Sequence, residues 1–196
     1  MGDHVLFFYG TLMAPQILHR VIHGRANPEP WQKAMLRFQP AILHGHRRHR
    51  VQNADYPGII AVPETQTEME KSSAPKPGAG TSVIGTLVSG LTDGDVHRLD
   101  RFEGSEYEKK RVTVRTLREK QGGDLSHAGE GDTAESQLRE VLNATGAEVA
   151  GEGEEVAAVT YVYTAGKDKL EDAEWDFESF KRDKMAWWVG ADESEW

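Results

Sequence analysis

The stretch at residues 4–13, HVLFFYGTLM, decides how the fold begins. Residues 4–9 form an apolar run rich in β-forming side chains that ends at Gly10, which predicts a short buried strand. Pro15 then occupies a position suited to the first turn of a helix, and this helix is expected to stop near Gly24. Its apolar stripe consists of Ile17, Leu18, Val21 and Ile22. The sequence therefore predicts a strand, a glycine turn and a helix in succession.

Further strands are predicted along the rest of the chain. They lie around Leu36, over residues 42–51 and 59–62, over residues 82–91, over residues 107–117 and over residues 156–164. The turn signal Tyr56-Pro57-Gly58 separates the second of these from the third. Strands with scattered helices and no regular βαβ repeat are typical of an α+β protein, so we expect a mixed, curved or barrel-like sheet in one domain spanning residues 1–196.

Two more helices are predicted. Thr92 is suited to the N-cap of the first, and Asp93 and Asp95 follow in the turn where the helix dipole favours negative charge. Its expected buried face consists of Val96, Leu99 and Phe102, and Gly104 ends it. A last helix is expected to carry the aromatic and apolar residues Trp175, Phe177, Phe180, Met185, Trp187 and Trp188.

Two segments carry little apolar sequence. Residues 63–81 hold three prolines, and we expect a flexible loop there. Residues 119–155 hold ten acidic residues against two basic ones, which accounts for −8 of the net charge of −9. We expect an acidic, glycine-rich insert, disordered apart from a marginal helix over residues 135–142. Because the rest of the chain is nearly neutral, the charge gives no support to a nucleic-acid partner.

The residue inventory excludes several kinds of chemistry. The chain has no cysteine, so disulfides, thiolate metal sites and cysteine nucleophiles are excluded. It has no apolar run of about 18 residues, so we expect no membrane span. It has no basic segment before its first apolar run, so we expect no signal peptide, and we expect the protein to be cytoplasmic. The sequence also lacks the common phosphate-loop, dinucleotide, zinc-protease and serine-hydrolase motifs, and we expect no cofactor.

The histidines concentrate in residues 44–50, HGHRRHR. Alternating histidines on a strand can bind a metal, but the neighbouring arginines repel a dication, so we expect no metal site and a solvated basic face. Because Arg47 and Arg48 point to opposite faces of a regular strand, one of them could turn inward.

The glycine turn and Glu103 are the candidates for chemistry. A strand that enters a helix through Tyr-Gly-Thr-Leu leaves backbone N–H groups available to a carboxylate, and Gly10 lets a ligand approach the backbone, although such a turn can also be a turn alone. Glu103 ends a predicted helix, where the dipole disfavours negative charge. If it is partly buried its pKa rises and it becomes a better base; otherwise it is a surface carboxylate.

Separated blocks of the chain together resemble the γ-glutamylcyclotransferase-like family. The blocks are FFYGTLM at residues 7–13, YPGI at 56–59, VIGTLVSGLTDGDVHRLDRFEGSEYEKKRVTV at 83–114 and TYVY at 160–163. The most similar branch includes the plant avirulence-induced proteins and the γ-glutamylamine cyclotransferases. The resemblance leaves out residues 63–81 and 119–155. It implies a small mixed β-barrel with surrounding helices.

The resemblance also implies residue roles. Glu103 corresponds to the catalytic acid and base, and the turn corresponds to the segment that holds the α-carboxylate and α-amino group of a γ-glutamyl substrate. The implied substrate contacts are Tyr9, Gly10, Thr11, Leu12, Met13, Ala14 and Tyr107. The rings of Tyr56, Tyr161 and Tyr163 fall in cavity-lining blocks.

The implied reaction is the cyclisation of a γ-glutamyl amide to 5-oxoproline with release of an amine or amino acid, and it needs no cofactor. Two alternatives remain: a non-catalytic γ-glutamyl-binding or interaction module on the same fold, and a structural protein without a small ligand. The sequence leaves the released amine and the oligomeric state open.

Overall fold

The computed structural model describes residues 2–62, 82–119, 149–173 and 175–190. Its strands are β1 His4–Phe8, β2 Arg37–His44, β3 His46–Arg50, β4 Pro57–Ala61, β5 Ser82–Leu91, β6 Tyr107–Glu119 and β7 Val149–Tyr163. Its α-helices are α1 Pro15–His23, α2 Pro30–Ala34, α3 Asp93–Glu103, α4 Phe177–Asp183 and α5 Met185–Gly190. Short 3-10 helices cover Thr11–Met13, Gly104–Glu106 and Lys167–Lys169.

Five strands form a closed barrel in the order β1-β5-β2-β6-β7, and β3 pairs with β4 in a separate two-stranded sheet. The barrel closes through a parallel contact in which Leu6 of β1 faces Val159 of β7, whereas its other strand pairs are antiparallel. The predicted α+β fold with a small mixed barrel and surrounding helices is thereby confirmed.

Alternation along β1 divides the core into two clusters. Phe7 packs with apolar residues from all four of the other barrel strands. Leu6 and Phe8, on the opposite face of β1, pack with α1 and α3. Because side chains of a strand alternate between its faces, a strand buried on both sides must be apolar throughout, as Leu6-Phe7-Phe8 is. The cluster around Phe7 consists of Tyr9, Ala41, Leu43, Ile59, Val83, Leu87, Val114, Ala158 and Val162.

The two helices beside the site follow their sequence signals. α1 begins at Pro15 and ends before Gly24, and its predicted apolar stripe is fully buried. α3 is capped by Thr92, whose hydroxyl accepts from the Asp95 N–H at 3.2 Å while the Asp95 carboxylate accepts from the Thr92 N–H at 2.9 Å. This reciprocal pair satisfies two donors at the helix start. It also fixes the register of α3, and therefore the direction in which its last residue points.

Several predicted boundaries are wrong. The strand predicted over residues 42–51 is two strands, β2 and β3, because Gly45 has a φ of 74° and turns the chain between them. Leu36 lies just before β2, and the short helix α2 was not predicted from the sequence.

The C-terminal predictions also need correction. β7 begins at Val149, so residues 149–155 belong to a strand and not to the acidic insert, and Glu119 is the last residue of β6. The single aromatic helix is two short helices, α4 and α5, with Trp175 ahead of both. The loop at residues 63–81 and the marginal helix at residues 135–142 lie outside the described residues. Among the helices that the structure describes, none is long and apolar enough to cross a lipid bilayer.

Candidate functional site

A pocket of about 100 Å³ opens between the turn after β1 and the end of α3. Its size suits a segment of a small molecule. Its lining consists of Phe7, Phe8, Tyr9, Gly10, Thr11, Leu12, Tyr56, Pro57, Phe102, Glu103, Tyr107, Tyr161 and Trp188. The glycine turn and Glu103, which are more than ninety residues apart in the chain, therefore share one cavity.

The turn presents unpaired backbone donors. Met13 and Ala14 donate their N–H groups to the Gly10 and Thr11 carbonyls, at 2.9 and 3.2 Å. Within the described ranges, no acceptor takes the N–H groups of Gly10, Thr11 and Leu12. Three consecutive N–H groups without an acceptor among the described residues can bind a carboxylate or a developing oxyanion.

Two contacts fix the position of this turn. The ring of Pro57 lies so close to Gly10 that a Cβ at Gly10 would stand 2.8 Å from its Cγ and Cδ atoms. On the other side, the Arg48 guanidinium donates to the Tyr9 carbonyl at 2.9 Å and to the Ile84 carbonyl at 3.4 Å. Arg48 is thus the inward-facing arginine of the pair that the sequence left open, and Arg47 is exposed.

Glu103 is the last residue of α3 and is half-buried in the pocket wall. Burial, and then the nearby negative charge of Asp100, raise the pKa of the Glu103 carboxyl to about 8. Across the described part of the chain, no hydrogen bond or ion pair links this carboxylate to another residue. Glu103 lines the cavity, and the affinity of its carboxyl for a proton suits a base that works near neutral pH.

Four tyrosines line the pocket, and each already donates its hydroxyl proton to the protein. Tyr9 donates to the Tyr161 carbonyl at 2.6 Å, and Tyr161 donates to Asp100 at 2.8 Å. The other two bonds run from Tyr107 to the Pro57 carbonyl at 2.8 Å and from Tyr56 to Glu106 at 3.2 Å. Burial raises the pKa of all four phenols, so they remain neutral.

The structure places most, but not all, of the predicted site residues in the pocket. Lining it are Glu103, Tyr9, Gly10, Thr11, Leu12 and Tyr107. Met13 and Ala14 are fully buried in the core against α1 and are absent from the lining, because the 3-10 helix turns them away from the cavity. Of the two tyrosines near the end of β7, Tyr161 lines the pocket and Tyr163 does not.

Five lining residues were not singled out as site residues from the sequence. The sequence assigns Phe7 and Phe8 to the strand core, Pro57 to a turn, Phe102 to the buried face of a helix and Trp188 to the aromatic helix. Trp188 packs edge-on against Phe102 with ring centroids 5.9 Å apart, and its indole N–H donates to Asp55 at 3.3 Å. No local motif connects Trp188 to the turn, since the contact depends on how the C-terminal helices dock.

The histidine-rich residues 44–50, at the end of β2 and along β3, are tied to their neighbours by ordinary contacts. His49 is buried, and its Nδ1 lies 2.9 Å from the Glu171 carbonyl. His44 pairs with Glu152 at 2.6 Å. In the described ranges, no group of three or more histidine, aspartate or glutamate side chains is arranged to hold a metal ion.

Together, the described residues form a small closed mixed barrel with a pocket that holds backbone N–H groups and one carboxylate without partners among those residues. The chain belongs to the family described as gamma-glutamyl cyclotransferase, AIG2-like, because the model of that family matches residues 6–129.

Individual relatives align with most of the chain, but their sequence identity to it is low. Protein AIG2 C of Arabidopsis thaliana is 24% identical over 179 residues, which cover 91% of this chain and 73% of that protein. AIG2-like protein B of the same plant is 26% identical over 188 residues, covering 96% and 75%. A solved yeast gamma-glutamyl cyclotransferase, specific to glutathione, aligns with a TM-score of 0.43 and 16% identity, covering 89% of this chain and 74% of that one.

Proposed function

We propose that this protein is a γ-glutamylcyclotransferase that converts a γ-glutamyl amide into 5-oxoproline and a free amine. The observation that carries the proposal is the meeting of a carboxylate, whose pKa is raised to about 8, with three unpaired backbone N–H groups in one cavity. Family membership supports the reaction class. The reaction needs one base and a set of fixed hydrogen-bond donors, and the carboxylate and N–H groups of this pocket can supply them.

In the first step the turn holds the glutamyl head. Two of its three N–H groups, those of Gly10, Thr11 and Leu12, bind the α-carboxylate, which bends the substrate so that the α-nitrogen approaches the γ-carbonyl. Pro57 and Arg48 keep the turn in place from its two sides. Holding two reacting groups of one molecule in the reactive geometry can contribute about 7 kcal/mol to lowering the barrier.

In the second step Glu103 moves protons. It takes a proton from the α-ammonium, and the lone pair of the α-nitrogen then attacks the γ-carbon. The bond from that carbon to the leaving nitrogen breaks. Glu103 returns the proton to the leaving amine, and the second ammonium proton follows the same route. A carboxylate with its ordinary pKa near 4.5 would be too weak a base, whereas a pKa of about 8 narrows the gap to an amine.

The negative charge that develops on the γ-oxygen also needs donors. Because the four lining tyrosines donate their protons to protein acceptors, the geometry favours the turn N–H group that the α-carboxylate leaves free over a phenol. This donor is fixed by the fold and needs no rearrangement during the reaction, which is the basis of oxyanion stabilisation in enzymes.

The test is a substrate panel. Purified protein is incubated with γ-glutamyl amines, a γ-glutamyl-lysine isopeptide and glutathione-like γ-glutamyl peptides, and released 5-oxoproline is measured while calorimetry measures binding. Turnover of at least one compound is the expected result. Binding without turnover would replace the proposal with a γ-glutamyl-binding module, and the absence of both would remove the γ-glutamyl assignment.

A further inference from the structure

Asp100 lies one helical turn before Glu103 on α3 but outside the pocket lining. Residues three apart on a helix lie on the same face, so the two carboxylates are neighbours. Both oxygens of Asp100 are bonded: Oδ1 accepts from the Tyr161 hydroxyl at 2.8 Å, and Oδ2 accepts from Lys109 Nζ at 2.8 Å. Asp100 is thus a charged group with a fixed orientation, next to the candidate base on α3 but outside the pocket lining.

The Tyr161 side of this network reaches the glycine turn. Tyr161 lines the pocket, and its backbone carbonyl accepts the Tyr9 hydroxyl proton at 2.6 Å. Tyr9 in turn precedes Gly10, the first residue with an unpaired N–H. This network of Asp100, Lys109, Tyr161 and Tyr9 therefore joins the end of α3, the start of β6, the end of β7 and the residue after β1. Each of these elements, or the residue beside it, contributes to the pocket lining.

We propose that Asp100 is a positioning residue with two effects. It fixes the Tyr161 ring on the pocket wall, and it holds a negative charge beside Glu103. Lys109, which pairs with Asp100, reduces the effect of that charge on Glu103. As a role in catalysis, the proposal rests on the proposed function, because it assumes that Glu103 is the working base. Asp100 does not touch the cavity itself, so it acts through its neighbours.

The other groups around Glu103 do not compete with this role. The phenols that face it are neutral, and they are Tyr9, Tyr56, Tyr107 and Tyr161. Within the described ranges, Asp100 is the charged side chain that shifts the Glu103 pKa, and the shift is upward. Removing the charge of Asp100 should make Glu103 more acidic, whereas removing its partner Lys109 should make Glu103 less acidic. Two substitutions in one ion pair are therefore expected to act in opposite directions.

The test is a carboxyl titration that does not depend on turnover. Side-chain ¹³C NMR of glutamate-labelled protein, with Glu103→Gln to assign the signal, gives the titration midpoint of Glu103 in each variant. Asp100→Asn is expected to lower the midpoint by about half a pH unit, and Lys109→Gln to raise it by a similar amount, since the pair is partly exposed and screened. The matched control is Lys110→Gln, which removes the surface pair of Lys110 with Glu108 and should leave the midpoint unchanged.

Midpoints that stay fixed, or that move in the same direction in Asp100→Asn and Lys109→Gln, overturn the charge effect. If Asp100→Asn does not fold, Lys109→Gln decides alone. A wild-type protein that releases no 5-oxoproline removes the proposed function, while the NMR midpoints still report whether Asp100 acts on Glu103. The two failures are therefore distinguishable.

The positioning effect has its own variant. Tyr161→Phe removes the hydroxyl that binds Asp100 but keeps the charge, whereas Asp100→Asn keeps an oxygen that can accept the Tyr161 proton. Tyr161→Phe is expected to raise KM about tenfold with a smaller change in kcat, and Asp100→Asn to change mainly the pH profile of kcat/KM. A Tyr161→Phe enzyme with wild-type KM would overturn the positioning effect.

Discussion

Glu103 and His19 are two titratable side chains that burial affects in opposite directions. Burial raises the pKa of the Glu103 carboxyl to about 8 and lowers the pKa of the His19 imidazole to about 4. The physical cause is shared, since removal from water disfavours the charged form of either group. A perturbed pKa alone therefore does not separate a functional group from a packed one.

The surroundings make the distinction. His19 is 1% exposed on α1, stacks on His23 at 5.5 Å and meets the Phe38 ring edge-on at 6.0 Å. It faces side chains and lines no part of the pocket. Glu103 faces a cavity that also holds the unpaired N–H groups of the turn. The comparison shows that a shifted pKa indicates function when the group also opens onto space for a ligand and complementary donors.

The largest expected effect is the loss of turnover in Glu103→Gln. The amide keeps the size of the side chain but cannot take the ammonium proton, so kcat/KM for 5-oxoproline release should fall about 10³-fold. Glu108→Gln, on the exposed face of β6, should retain wild-type activity. His19→Leu should also remain active wherever it is folded. A fully active Glu103→Gln enzyme would make Glu103 equivalent to His19, a buried group without a catalytic role.

Gly10→Ala tests whether the donors of the turn matter as much as the carboxylate. The new Cβ would stand 2.8 Å from the Pro57 ring, so the turn or Pro57 must shift, and kcat/KM should fall about 10- to 100-fold. The matched control is Gly94→Ala on α3, where the nearest atom to the new Cβ lies at 3.7 Å, in ordinary contact. Steady-state kinetics on both variants measures the difference. Equal activity in the two would remove the turn from the site.

The parts of the molecule that could be predicted from sequence are those set by neighbouring residues. The β1–turn–α1 unit and the capped helix α3 follow from Gly10, Pro15 and Thr92, each of which acts within a few residues of its own position. The same locality explains why the turn and Glu103 were recognised as candidates. Their meeting in one cavity was expected through the family resemblance and not from spacing.

The features that the sequence does not reveal concern orientation and long-range contact. Met13 and Ala14 continue the turn in sequence, but a 3-10 helix rotates them into the core, and no local signal separates them from Leu12. Trp188 reaches the pocket only because the C-terminal helices dock across it. The split of one strand at Gly45 depends on a positive φ that a strand pattern does not reveal. Barrel closure through β1 and β7 is likewise a contact between distant segments.

His19 should make stability depend on acid pH. Its pKa is about 4 in the folded protein and 6.5 ordinarily, so between these values the unfolded chain binds the extra proton. The free energy of unfolding should therefore fall by up to about 3 kcal/mol as pH drops from 6.5 to 4, and His23, whose pKa is also lowered by burial, adds in the same direction. Urea unfolding measured across this pH range should show that the free energy of unfolding changes less steeply with pH in His19→Leu than in wild type. Substitution of the exposed His97, in His97→Gln, is the control. An unchanged slope would mean that His19 is hydrated.

Glu103 should have the opposite, smaller effect on stability. Its pKa is about 8 in the folded protein and 4.5 ordinarily, so between these values the folded chain holds a proton that the unfolded chain has released. Stability from this group is complete below pH 4.5 and is lost as pH rises to 8. Because Glu103 is only half-buried and opens onto the pocket, we expect about 1–2 kcal/mol.

Glu103→Gln should therefore unfold at higher urea than wild type at pH 8 and at nearly the same urea at pH 4.5. A gain in stability when the carboxylate is removed is expected for a functional site in which an ionised group lowers the stability of the fold. His19→Leu supplies the contrast, since its effect should appear only below pH 6.5. If Glu103→Gln gains nothing at pH 8, the carboxyl ionises without cost, and the difference between the pocket and the core is one of geometry alone.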